Sequence, residues 1–265
     1  MRVKPYFRVT VVALVLTVLS SMNFVSAQET VRNISANISE LHIDGAFRVT
    51  VVNDNSTTLR FNQTDLDNIR VRVKGNKLSI VQKKSLATVL GFSSKPTLID
   101  LRIGLKDLAR LRELKLAGQS KVSLHARDLL FGDLECEVSG ASELSFLGKA
   151  NDLKVELKGA SRASVGTQWI RKVSYDISGA SSLSHSGDFE EMDLEVSGAS
   201  EALLSGVGVE LDVEASGTCS VDATALNAML GKVEAEGTSK VRVSIQYPTI
   251  KTSGLAHVEN IYHID

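Results

Sequence analysis

The stretch Tyr175-Asp176-Ile177-Ser178-Gly179-Ala180-Ser181-Ser182-Leu183-Ser184-His185 decides the fold, because it returns. Leu194-Glu195-Val196-Ser197-Gly198-Ala199-Ser200 repeats its first part 19 residues later. Working outward, a Gly-small-Ser triplet starts at Gly118, Gly140, Gly159, Gly179 and Gly198, with the variants Gly217-Thr218-Cys219 and Gly237-Thr238-Ser239. The spacings are 22, 19, 20, 19, 19 and 20 residues, a fixed period that marks a solenoid. Apolar residues alternate on both sides of each glycine. Two before it stand Leu116, Val138, Leu157, Ile177, Val196, Ala215 and Ala235; four after it stand Val122, Leu144, Ala163, Leu183, Ala202, Val221 and Val241. Period two means strands, so leucine-rich and helical repeats are excluded.

The reading is therefore all-β: a single-stranded parallel β-solenoid of about 20-residue strand-turn-strand coils, preceded by a β-rich N-terminal region. The glycine frees the corner from a Cβ. The serine column is expected to form hydroxyl ladders between coils. Cys136 and Cys219 lie in different columns and are expected to be unpaired. The chain divides into a signal peptide over 1–27, a β-rich region over 28–108 continuous with the solenoid, the repeat over 109–250 and a C-terminal cap over 251–265.

The signal peptide follows from Arg2, Lys4 and Arg8, an apolar run from Val9 to Leu19 and the small residues of Val25-Ser26-Ala27. That run is short for a membrane span, and removal of the whole signal peptide takes the net charge from −1 to −4. The mature chain is thus expected to be exported, to the periplasm, the outer-membrane surface or beyond, with no membrane span. Within 28–108, Phe47, Val49 and Val51 alternate with polar residues, and Lys74-Gly75-Asn76 turns a hairpin into Leu78 and Ile80. Ser85 to Pro96 is loop-like, and Leu105 to Leu116 has the spacing of a short helix, although Leu114 and Leu116 already fit the first repeat. Four Asn-x-Ser/Thr sequons stand at Asn33, Asn37, Asn55 and Asn62.

Composition excludes several functions. The 265 residues are 43% apolar and 23% charged with near-zero net charge, which gives no electrostatic case for nucleic acid. Aromatics at 5% are too few for stacking platforms on sugars or bases. Equivalent serines with no Gly-x-Ser-x-Gly elbow do not make a nucleophile. His42, His125, His185, His257 and His263 form no motif, and His185 falls in an inward column. No zinc, phosphate or dinucleotide signature is present, so neither an enzyme nor a cofactor is expected.

One outward column carries chemistry. Three before the glycine stand Glu137, Glu156, Asp176, Glu195, Glu214 and Glu234; only the first coil departs, with Lys115. Stacked in register, like charges repel. The column is either a solvated face copied with the coil or a surface for divalent cations or a basic partner. Its pitch suits calcium. Lys154 and Lys232, two positions before Glu156 and Glu234, share the face.

The signal peptide, the start at Phe47 to Val51, the Lys74-Gly75-Asn76-Lys77-Leu78-Ser79-Ile80 turn and the repeated Ser-Gly-Ala-Ser coils resemble the auto-transporter adhesin head, or GIN, domain family of exported bacterial proteins. The resemblance covers roughly residues 35 to 250. It implies a β-solenoid without catalytic residues that binds a surface glycan or protein. Two other readings are a purely structural envelope protein and a carbohydrate-active β-helix enzyme of the polyuronate lyase kind. Short coils and an acidic column, which would repel a polyanion, weigh against the enzyme.

Overall fold

In the computed structural model, residues 29–34, 36–62, 67–83 and 98–262 are described. The expected signal peptide and the loop-like run from Ser85 to Pro96 lie outside them. The strands are β1 (Glu29–Asn33), β2 (Glu40–Gly45), β3 (Phe47–Asn53), β4 (Thr58–Asn62), β5 (Ile69–Lys74), β6 (Lys77–Gln82), β7 (Ile99–Leu105) and β8 (Glu113–Gly118). Then come the long β9 (Lys121–Val138), β10 (Glu143–Leu157), β11 (Arg162–Ile177), β12 (Ser182–Val196), β13 (Glu201–Ala215), β14 (Ser220–Ala235) and β15 (Lys240–Thr252), and short β16 (His257–Asn260). No α-helix occurs among the described residues; Leu108–Arg110 makes one 3-10 turn. That turn, with β7 before it and β8 after it, replaces the helix the spacing allowed over Leu105 to Leu116. Leu105, Leu108, Leu111, Leu114 and Leu116 all reach the core from it.

The long strands pair in parallel from β9 to β15, and β16 continues on β15. Each spans one coil, and most pairs slip in register near the middle, as between Gly166 and Trp169, whereas β12 and β13 keep one register throughout. The alternation has the meaning the sequence gives it. In β10, Leu144, Phe146, Gly148, Ala150, Leu153, Val155 and Leu157 are buried, and the residues between them are more open. These columns run through every coil and form one continuous core.

The corner glycines Gly118, Gly140, Gly159, Gly179, Gly198, Gly217 and Gly237 take φ between 73° and 90°. A Cβ on Gly179 would lie 2.5 Å from the Gly159 carbonyl oxygen. That carbonyl accepts the Ala180 N–H at 2.8 Å, and the same bond recurs from coil to coil. The column reaches past the limits drawn from sequence. Gly45 pairs in register with Gly118, and Gly254, at φ 74°, follows Gly237. The segment after Gly254 therefore adds β16 to the stack as a further half-coil.

The serines Ser120, Ser142, Ser161, Ser181, Ser200 and Ser239 are buried behind these corners. Their hydroxyls bond backbone, not one another. Ser181 Oγ donates to the Ser178 carbonyl at 2.9 Å and accepts the Ser161 N–H of the preceding coil at 3.3 Å. Cys219 holds the same position but offers only a thiol 3.5 Å from the Val196 carbonyl. Both cysteines are free and buried.

The N-terminal region contributes coils in an unexpected order. β2 lies between β6 and β8, and β3 lies between β7 and β9, all parallel. The coil laid down first in sequence is thus second in space, inserted between β6/β7 and β8/β9. The Lys74-Gly75-Asn76 hairpin forms between β5 and β6. Antiparallel β5, β4 and β1 close this end of the stack.

One inward column holds a polar pair. Tyr175 Oη lies 2.7 Å from His185 Nδ1, and His185 Nε2 lies 3.3 Å from the Gly187 carbonyl, which fixes the proton on Nε2. Burial lowers the His185 pKa to about 4. The unfolded imidazole takes a proton below its ordinary value near 6.5, whereas the folded one resists until about pH 4. Stability from this site is therefore complete above 6.5 and is lost as pH falls toward 4.

Four outcomes are expected. Gly179→Val lowers the melting temperature by on the order of 10 °C or prevents folding, since backbone must move to admit the side chain. Ser181→Ala loses about 1–3 kcal/mol because it also strands the Ser161 N–H; a melt in which Gly179→Val matches the parent contradicts the corner geometry. Cys219→Ser restores the serine bonds and raises the melting temperature by about 2–4 °C, and a fall would refute that equivalence. Between pH 7 and 4.5 the parent loses roughly 2–3 kcal/mol more than Tyr175→Phe/His185→Leu, in which both polar groups are gone; equal losses in chemical denaturation would discount the pair.

Candidate functional site

The outward acids owe their position to the alternation. Val155 and Leu157 point inward, so Glu156 between them points out, and the same holds in each coil. The register aligns Glu137, Glu156, Asp176, Glu195, Glu214 and Glu234 side by side across six strands. Lys115 precedes the column and Lys251 follows it.

The column is not uniform. Lys115 Nζ lies 3.2 Å from Glu137, and Glu234 sits between Lys232 at 2.9 Å and Lys251 at 3.1 Å. Glu156 is gripped by Lys154 at 2.6 Å and Lys158 at 2.7 Å. Those two hydrogen-bonded ammonium groups lower its pKa to about 2. Asp176, Glu195 and Glu214, in the middle, have no ion pair among the described residues.

Two parallel columns deepen the charge there. Asp193 and Asp212 are register partners, as are Glu191 and Glu210. Lys172 serves both Glu191 and Asp193, and its hydrogen bonds to them raise its pKa. Asp212 accepts the Lys232 backbone N–H at 2.9 Å but makes no ion pair among the described residues. The middle coils β11–β13 thus carry a patch of carboxylates that make no ion pair among the described residues: Asp176, Glu195, Glu214, Asp212 and Glu210. The flanking columns were present in the sequence at five and seven positions before the glycine; only their neutralisation needed coordinates.

Chemically, the patch is a row and not a cage. Among the described residues no three ladder acids bring oxygens within 4.8 Å of one another. A single calcium ion bound there would take at most two of its protein carboxylates from the row, whereas calcium takes six to eight oxygens in all. A shallow recess of about 490 Å³ opens on the same face, lined by Arg112, Asp133, Lys154 and Lys172 among others.

No acyl-transfer constellation accompanies it. The corner serines are buried, and His185 is bonded to Tyr175. His125 Nε2 lies 2.9 Å from Ser145 Oγ on the surface, but among the described residues no carboxylate orients its Nδ1. Of the sequons, Asn33, Asn37 and Asn55 are exposed.

The fold is shared with solved structures. The crystal structure of a putative lipid binding protein from Parabacteroides distasonis ATCC 8503 superposes with a TM-score of 0.62 at 16% identity, covering 89% of this chain and 98% of that one. A putative adhesin from the same organism gives 0.58 at 13% identity, with coverage of 89% and 98%. A putative adhesin from Parabacteroides merdae ATCC 43184 gives 0.59 at 13% identity, with coverage of 88% and 95%. No match to a curated protein is found. The family described as "Putative auto-transporter adhesin, head GIN domain" matches residues 37–260, so with its corner-glycine coils this chain belongs to that family.

Proposed function

We propose that the protein is an exported, non-catalytic binding module of the cell envelope, and that the acidic face of its middle coils engages a basic protein surface. The carrying observation is the patch of Asp176, Glu195, Glu214, Asp212 and Glu210, which make no ion pair among the described residues. Like charges held in register are a standing expense of stability, and a cationic partner relieves it. The family, whose name is that of an adhesin head, and the residues at the N-terminus that resemble a signal peptide support a surface role. A rigid, flat sheet face suits contact with an extended surface better than enclosure of a small substrate. The same charge disfavours polyuronates and other polyanions.

The test is binding of the mature chain to an array of basic proteins and glycans, with Asp176→Asn/Glu195→Gln/Glu214→Gln in parallel. The parent is expected to bind cationic ligands with an affinity that falls steeply as salt rises. The triple variant should bind more than about tenfold more weakly while melting at or slightly above the parent temperature. Equal binding by both proteins overturns the assignment. Calcium is the second arm, since a divalent ion is also a counter-charge for the row. A melting-temperature gain beyond that of sodium at equal ionic strength, absent in the triple variant, would give the ladder to divalent cations instead.

A further inference from the structure

The junction between the N-terminal coils and the repeat holds a second cluster, away from the acidic patch. Glu40 and His42 are two apart on β2 and so share its outward face. β8 lies beside β2 with Glu40 opposite Glu113 and His42 opposite Lys115. One ligand atom each from Glu40, His42 and Glu113 can be chosen so that all lie within 4.8 Å of one another. His42 Nε2 and Glu113 Oε1 are 2.9 Å apart, and their side chains are 22% and 27% exposed.

We infer that Glu40, His42 and Glu113 bind one divalent first-row metal ion of the zinc class, and that the ion clips the inserted β2/β3 coil to the repeat. The donor set of one imidazole and two carboxylates is of the kind that zinc and its neighbours accept. Two ligands on a tetrahedral ion at about 2.0–2.1 Å stand roughly 3.3 Å apart. The His42–Glu113 pair therefore needs to open by only about half an ångström to admit it.

The surroundings agree. Glu113 has a glutamate on either side in register, Glu40 on one strand and Glu135 on the other. Such a row is repulsive, and a divalent cation would add to the relief that Lys115 and Lys154 already give it. Lys115 lies 3.2 Å from Glu113 and also 3.2 Å from Glu137, so it can keep the second contact when a metal takes the first. Lys154 occupies Glu135 from the far side, and Lys77 is the register partner of Glu40. A recess of about 300 Å³, lined by His42, Asp44, Ser79, Lys115 and Glu137, opens beside the imidazole. His42 and Glu113 are 71 residues apart, so the three ligands meet only in the folded stack.

The test is calorimetric titration of the mature chain with zinc chloride, with cobalt chloride for its visible absorption as a second readout. One ion per chain is expected, together with a tetrahedral-type cobalt spectrum and a melting temperature that climbs with metal concentration. His42→Ala and Glu40→Gln should each weaken binding by more than about tenfold. Both positions are partly exposed, so the metal-free variants should melt close to the parent, and Glu40→Gln leaves the His42–Glu113 bond in place. His125→Ala and His257→Ala should bind as the parent does. Undiminished binding in His42→Ala, loss in either control, or no binding at submillimolar metal overturns the site.

Discussion

The bond from each coil's corner N–H to the glycine carbonyl of the coil before it governs this structure. It forms only where the glycine lacks a Cβ, because that atom would occupy the place of the neighbouring carbonyl. One such bond is worth about 1 kcal/mol net. Its weight comes from repetition and from what it fixes. By locking the corner of each coil over the last, it sets the register of both strands that leave the corner. A slip of one residue would turn every core side chain outward. The buried serines reinforce the same corner by joining each hydroxyl to backbone of two coils.

Fixed register explains why the surface chemistry comes in columns. Any residue type copied with the coil is stacked on itself at roughly 4.8 Å. For valine this builds a core, and for serine it builds a hydrogen-bonded spine. For glutamate it builds repulsion. The chain answers that repulsion unevenly: lysines pair directly with Glu137, Glu156 and Glu234, while Asp176, Glu195 and Glu214 make no ion pair among the described residues. Were the acids mere by-products of duplication, neutralisation would be expected where they crowd most. It is found instead at the ends and at one early coil, and the crowded middle is left open to solvent. That distribution gives the patch its interest as a binding surface.

Much of this was legible in the sequence, and the reason is physical. Glycine corners and period-two alternation are local requirements, so each must be written into each coil. The acid column was legible on the same terms, since the coil length places Glu156 and Asp176 side by side. What could not be read depends on pairing at a distance. Gly45 is followed by Ala46 and Phe47 without a serine, and Gly254 by Leu255 and Ala256, so neither announces a corner. The insertion of β2/β3 between β6/β7 and β8/β9 leaves no periodic trace, because the intervening strands belong to a different coil. Tyr175 and His185 were visible as separate inward residues, ten apart, but not as partners. Glu40, His42 and Glu113 meet only through that insertion.

Both ends of the described stack carry features that cover strand edges. A parallel solenoid must stop somewhere, and each end exposes strand edges able to pair with further chain. At the N-terminal end, antiparallel β5, β4 and β1 cover the edges. At the other end, Asn260 turns its amide onto Ile245, donating to the carbonyl and accepting the N–H, both at 2.9 Å, as a further strand would. Among the described residues the second half of β15 has no strand beyond it. Ser253 N–H points back to Ala235, and by alternation residue 248 would point its N–H outward, where proline has none. Lys251 adds a charge to that same edge. It also lies in register with Glu234 and bonds to it, so one side chain ends both the backbone ladder and the column of acids. Edge protection and charge balance thus meet in one residue, which is what a repeat needs when stopping the strands would otherwise leave its last carboxylate bare.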